Sequence, residues 1–504
     1  MMKNKIRRIS NGVVTNGFAQ KLTRVSGVLI ASAVLLMSGS YAVWARGGLY
    51  SSTRHGDPTT GVRRDSALPR GDCGHCHSMH GAAGTTTDFA LWTANNNQIC
   101  FACHFGQSDR GIYRSSSVYE QSIHEDDPLM RWPGPEPPPR LEPDAKGKCV
   151  NCHSPHGWGD SQGLMPSLLF KREEDLCLGC HKVAGSAQKQ VETQMYYQYT
   201  HQMTNSQLAG RHRTSEEMIS GNYSGLNRHN ECFDCHNPHV HTRDLHAQGS
   251  NRAGGVLKGS SFVEANYGGM ADTFPTFQPR DQIFDIQFEY QLCFKCHSYW
   301  AYGSFPPFTP SGGQQTDPSI EFNPNNVGSH NVIQTPNLNG IGVFVNGWRW
   351  DFQMTCTDCH GSSNPNDPRG PHGSQLPFLV KARWDVTTGQ SAENTSSHLC
   401  FLCHDFTTYA QNNNNRNTGF SGNNFVRNLH GFHSTKNNTV ANRPIGCMDC
   451  HSKVPHGINR KALLVTTSDP ARYLGGTVLL QQSDVPNWGP SGNWDRNDCT
   501  VACH

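Results

Sequence analysis

Residues 73–80 read Cys73-Gly-His-Cys-His-Ser-Met-His80: two thiols three positions apart, a histidine directly after the second, and a further histidine three positions on. The core of this stretch recurs along the chain. Regular C-x-x-C-H sites fall at Cys73-Cys76-His77, Cys100-Cys103-His104, Cys149-Cys152-His153, Cys177-Cys180-His181 and Cys232-Cys235-His236. They continue at Cys293-Cys296-His297, Cys356-Cys359-His360, Cys400-Cys403-His404 and Cys447-Cys450-His451. The last residues, Cys499-Thr-Val-Ala-Cys503-His504, form a tenth site with one extra residue between its thiols, and together the ten sites use all 20 cysteines.

Two cysteines at this spacing reach the two vinyl groups of one haem as thioethers, and the next imidazole turns under the ring onto iron. Zinc knuckles and disulfides also use paired cysteines, but neither gives a reason for histidine after every second one. The reading is ten covalently attached c-type haems, with His77, His104, His153, His181, His236, His297, His360, His404, His451 and His504 as proximal iron ligands.

The sites alternate in kind. Odd-numbered ones have a second histidine downstream: His80, His156 in C-H-S-P-H-G, His239 in C-H-N-P-H, His372 in P-H-G and His456 in V-P-H-G. The even-numbered ones lack it and instead carry Ile99, Leu176, Leu292 or Leu399 before the first cysteine. The repeating piece is therefore a pair of haems. The pattern gives a leader over 1–45, modules over 46–112, 113–185, 186–300, 330–410 and 411–504, and a Pro/Asn/Gly-rich linker over 301–329. The terminal site, with Asp498 where an apolar residue would stand, takes the even place of module five.

Axial ligands bind from opposite faces of the ring. His80 sits about one helical turn from His77 on the same side of the chain, so it cannot serve the same iron. The downstream histidines are accordingly expected on the even-numbered haem of their own module. Each odd-numbered haem then needs an upstream ligand. His55, His124, His330 and His430 fit, with His433 the alternate to His430, and in module three His212 is favoured over His201. Of the 27 histidines, those left over, such as His75, His241, His246 and His398, read as surface or supporting residues. Abundant histidine in register favours bis-histidine ligation over methionine, and hence low potentials.

An apolar fraction of 35 %, with 50 Gly and 29 Pro, is thin for 504 residues. Haems stapled by thioethers and iron bonds would supply the missing core. The expected fold is mostly irregular and loop-rich with short helices and at most a small β-hairpin, elongated along a chain of ten paired haems. The helical signals are Ser167–Leu176 and Thr87–Trp92; the strand-like run is Ile341–Trp350. Pro133–Pro139 reads as a stiff linker and Asn412–Asn415 as an irregular loop.

The first 45 residues carry six basic residues and no acid, then an apolar run from Val28 to Met37 ending before small residues, the pattern of a secretory leader. Its removal takes the formal charge from +2 to about −4, which leaves no basic face for nucleic acid. No cysteine lies near the cut, so no lipid anchor is expected.

From His55 to His504 the sequence resembles the multihaem c-type cytochromes with doubled C-x-x-C-H modules, and is similar to the extracellular filament-forming (nanowire) members. The resemblance implies an electron carrier and not an enzyme, exported to the cell surface or beyond, with the periplasm as alternative. Its partners would be redox proteins and extracellular minerals or electrodes, and a homopolymeric filament is one assembly it admits. The rival is a multihaem reductase for nitrite, hydroxylamine or an oxysulfur anion. That reading requires one open iron, and no C-x-x-C-K site occurs.

Overall fold

The computed structural model describes residues 50–78, 90–104, 119–126, 148–201, 230–302, 316–334, 340–420, 427–438, 441–478 and 480, with short omissions at 161–162, 172 and 281–284. The leader, His80, Pro133–Pro139, His212 and the terminal Cys499-Cys503-His504 site lie outside these residues. The chain separates into two compact bodies. One comprises the described part of Met1–Trp92 with Ser154–Leu168, the other Thr93–His153 with Leu169–His504.

Helices are short, the longest being Glu173–His181, and the strands pair only two by two. The expectation of a loop-rich chain holds, with five small two-stranded ladders among the described residues. No described helix is long and apolar enough to cross a membrane.

Each described motif folds as a helical turn, the fourth at the end of the longer helix Glu173–His181. The His N–H donates to the carbonyl of the first cysteine at 2.8–2.9 Å in sites one, two, three, five, six, seven, eight and nine. One turn brings residues three and four apart onto one face, so both thiols and the imidazole leave the backbone together. In Cys-Phe-Asp-Cys, Cys-Thr-Asp-Cys and Cys-Met-Asp-Cys the aspartate caps the turn from within. Asp234, Asp358 and Asp449 accept the N–H of Glu231, Thr355 and Gly446 at 2.7–2.8 Å. Asp449 is fully buried and also holds Arg443 through two 2.7 Å bonds and the N–H of Thr477 at 2.9 Å. Asp449→Ala leaves these donors unpaired, and denaturant unfolding of the haem-loaded protein should show a loss of about 3 kcal/mol.

A second repeated piece was not visible in the sequence. Some 11–18 residues after an odd-numbered motif histidine the backbone turns left-handed at non-glycine residues: Ala90, Ser167-Leu168, Phe378-Leu379 and Ala462-Leu463. This conformation costs about 1–2 kcal/mol per residue. It turns carbonyls back onto the motif: Ala90, Leu168, Leu379 and Leu463 accept the N–H of Ser78, Ser154, Gly361 and Ser452 at 2.6–2.8 Å. The run expected as a helix from Ser167 is therefore broken, and its helix begins only at Glu173. Most of the run expected as a helix from Thr87 lies outside the described residues; at its end Ala90 turns left-handed and Leu91 bridges His77.

The Pro-His-Gly stretches enter two of the ladders. Gly373–Ser374 pairs with Tyr199–Thr200, and Gly457–Ile458 with Gly328–Ser329, both antiparallel. Glycine is required by close approach: a β-carbon on Gly373 would lie 1.9 Å from the Gln194 carbonyl, and one on Gly457 1.8 Å from that of Glu321.

The apolar core sits in modules three and four. The hairpin Phe262–Asn266 with Thr276–Arg280 sends neighbouring residues to opposite faces. Phe262, 2 % exposed, joins Ile286 and Leu292, and Val263, 1 % exposed, joins Phe294, Phe322, Val332 and Met354. The helix Glu289–Phe294 serves both clusters, through Leu292 and Phe294. The hairpin is thus at 262–280, not at Ile341–Trp350, where Phe344 makes one bridge to His404. Within the stretch expected as linker, residues 316–329 are packed, with Phe322 in the core and Asn323 and Asn326 buried.

Candidate functional site: paired histidines along the motif turns

Each iron site needs an imidazole aimed by its Nδ1, so that Nε2 is left to the metal. Four of the motif histidines are aimed in this way. Nδ1–H of His181 donates to Lys189 O at 2.7 Å, His236 to Val256 O at 2.9 Å, His360 to Phe378 O at 2.8 Å and His451 to Ala462 O at 2.6 Å. Phe378 and Ala462 are the first residues of the left-handed pairs, which gives those strained turns a purpose.

The upstream histidines are aimed by the proline of a Pro-His step. Nδ1–H of His55 donates to Pro155 O at 3.3 Å, that of His124 to Pro238 O at 3.1 Å, and that of His330 to Pro455 O. His201 meets the same kind of step through its backbone, its N–H donating to His372 O at 3.3 Å. So in modules one to four the upstream histidine lies against the downstream Pro-His step of the next module.

Rings then pair across the sites. Within the first body His77 faces His156, with centroids 5.9 Å apart. Within the second, His153 faces His239 at 5.8 Å, His236 faces His372 at 6.2 Å and His360 faces His456 at 6.0 Å. His124 faces His181 at 6.3 Å, His201 faces His297 at 6.0 Å and His430 faces His451 at 6.3 Å. Two imidazoles bound to one metal at about 2 Å each have centroids about 6 Å apart. The ring spacing and the two thiols one turn away fit a haem between the rings. Among the described residues no cluster of three or more His, Cys, Asp or Glu would hold a bare metal ion.

This corrects the expected partners. His156, His239, His372 and His456 face the odd-numbered site of the preceding module, because the Pro-His step is drawn onto that module's upstream segment. The upstream His124 and His201 face the even-numbered sites of their own modules instead of the odd-numbered ones. His201, expected only as an alternate, is the one beside His297. His430 beside His451 is as expected, while His433 stacks on Phe420. His330 lies near enough to His404 to act on it electrostatically, at the even-numbered site of its own module and not at the odd-numbered one expected.

Burial, reinforced by neighbouring histidines, keeps His360, His372, His404 and His430 neutral, the form that binds iron. His372, His404 and His430 are pushed down to about 3 and His360 to about 4. The Nδ1 atoms of His372 and His430 are buried without a hydrogen-bond partner among the described residues.

The surplus histidines are not surface residues. His75 is buried, accepting the N–H of Arg64 at 3.2 Å and donating to Pro69 O at 2.7 Å. His398 bonds Thr388 Oγ1 at 2.8 Å, and His246 lies 3.3 Å from Asp358. The His241 ring stands 5.7 Å from His124 and 5.4 Å from His236.

Successive sites also touch through their cysteines. Cys100 lies beside Cys149, Cys293 beside Cys356 and Cys400 beside Cys447, so the end of one module abuts the start of the next. Glu289 secures one such junction: its buried carboxylate accepts both the N–H and the hydroxyl of Thr357 at 2.8 Å.

The family described as doubled CXXCH motif matches residues 66–108 and 142–186. No curated protein and no solved structure matches the chain. The doubled motifs indicate a multihaem c-type cytochrome involved in electron transfer.

Proposed function

We propose that this chain is an exported decahaem cytochrome whose bis-histidine irons pass electrons in sequence to a redox protein, mineral or electrode outside the cell. The observation that carries the reading is the set of seven ring pairs at 5.8–6.3 Å, each joining a motif histidine to a histidine outside the motifs. Paired ligation leaves those irons no exchangeable position, which favours a carrier over a reductase.

A haem supplies a one-electron couple at its iron. The protein's part is to hold the irons close and fixed. In the second body the ladder residues His201 and His372 serve sites six and five, and the touching cysteines join site two to three, six to seven and eight to nine. This arrangement supports a path that follows the order of the sequence. The leader pattern of residues 1–45 supports export, and the likeness to filament-forming cytochromes supports an extracellular acceptor.

Spectroelectrochemical titration of the secreted holoprotein tests the reading. Mutual repulsion of the added electrons should spread the transition over many overlapping components, with low-spin spectra throughout and an intact mass showing ten haem increments. A single sharp transition, or a high-spin iron that binds cyanide, would overturn the carrier in favour of the reductase.

A further inference from the structure

Glu321 ends the four-residue helix Pro318–Glu321 and is 2 % exposed. Its Oε2 accepts the Nδ1–H of His456 at 2.7 Å, and the Thr316 hydroxyl donates to the same oxygen at 3.2 Å. The backbone keeps the carboxylate there: the Glu321 carbonyl accepts from the Asn326 side chain at 3.0 Å and packs against Gly457, beside His456. The equivalent histidine one module earlier is different. His372 occupies the same place in its ladder, yet its Nδ1 has no partner among the described residues. The Nδ1 groups of His124, His181, His236, His360 and His451 meet neutral carbonyls.

We propose that Glu321 tunes the iron between His360 and His456, setting it to a lower potential than the iron between His236 and His372. A carboxylate accepting the Nδ1–H makes the imidazole a stronger donor and stabilises ferric iron. A buried negative charge on that side adds to the effect, since reduction removes a positive charge it would otherwise attract. The chain of sites then carries an uphill step in module four, and electrons rest on either side of it. The inference relies on the bis-histidine reading proposed above.

The test uses the holoprotein, with spectroelectrochemistry followed by electron paramagnetic resonance of the low-spin signals. In E321Q one component should move to higher potential and the others stay. Thr316→Val frees Oε2 for His456 and should move the same component lower. His456→Ala should remove that component and create a high-spin ferric signal, and adding E321Q to it should move the altered iron less than E321Q moves the component in the parent protein. If His456→Ala gives the high-spin signal but E321Q moves no component, or moves all of them together, the tuning is overturned and the ligand pair stands. If His456→Ala gives no high-spin signal, the ligand pair itself is overturned. Where E321Q does not load haem, Thr316→Val decides alone: a downward shift supports the tuning and no shift overturns it.

Discussion

His372→Ala is expected to turn one low-spin iron of the holoprotein into a high-spin iron that binds cyanide. The His372 ring faces that of His236 at 6.2 Å, is buried, and is held neutral well below the ordinary histidine range. Alanine removes a ligand while leaving the Gly373–Ser374 ladder to hold the backbone. The altered iron should belong to module three, although the substitution is in module four. Replacing Cys232 and Cys235 by alanine should therefore abolish the new signal, and replacing Cys400 and Cys403 should leave it. The reverse result would restore the within-module pairing that the sequence suggests.

The chain produced without haem attachment is expected not to fold. Its described apolar clusters are two, both built around the 262–280 hairpin and the Glu289–Phe294 helix. Chains of this length normally bury far more, and small cores without staples are marginal. Circular dichroism should show a largely disordered chain, and limited proteolysis should leave protection, if any, on fragments containing that hairpin and helix. A cooperative thermal transition in the haem-free chain would contradict this.

The motif turns were legible in the sequence because covalent chemistry fixes their spacing. Cys-x-x-Cys-His must be one helical turn whatever surrounds it. The downstream His156, His239, His372 and His456 were also legible as a group, since a Pro-His step recurs after the odd-numbered motifs. Their partners were not. Which iron His372 or His456 faces is decided by two-residue ladders between modules, and such ladders leave no periodic trace in either strand. The left-handed turns at Phe378-Leu379 and Ala462-Leu463 escaped for a related reason: they hold ordinary apolar residues where glycine would have announced them. The hairpin went unseen because Phe262 and Val263 bury on opposite faces, erasing the alternation that identifies a half-exposed strand. Glu321 carries no motif at all; only the packing of residues 316–329 beside His456 makes it a neighbour of the site.

The trading of histidines between modules also bears on how such a chain can change its length. A module excised whole would carry away one histidine that its predecessor needs. The next module would then have to present its own Pro-His step in the same register. Growth or loss in single modules is therefore tolerated only where the ladder sequences on both sides of the junction are interchangeable. Tyr199–Thr200 and Gly328–Ser329 are not the same sequence, though each meets a Gly in its partner strand. The order of the modules is written into these short pairings, so shuffling them would scramble the wiring while leaving every attachment motif intact.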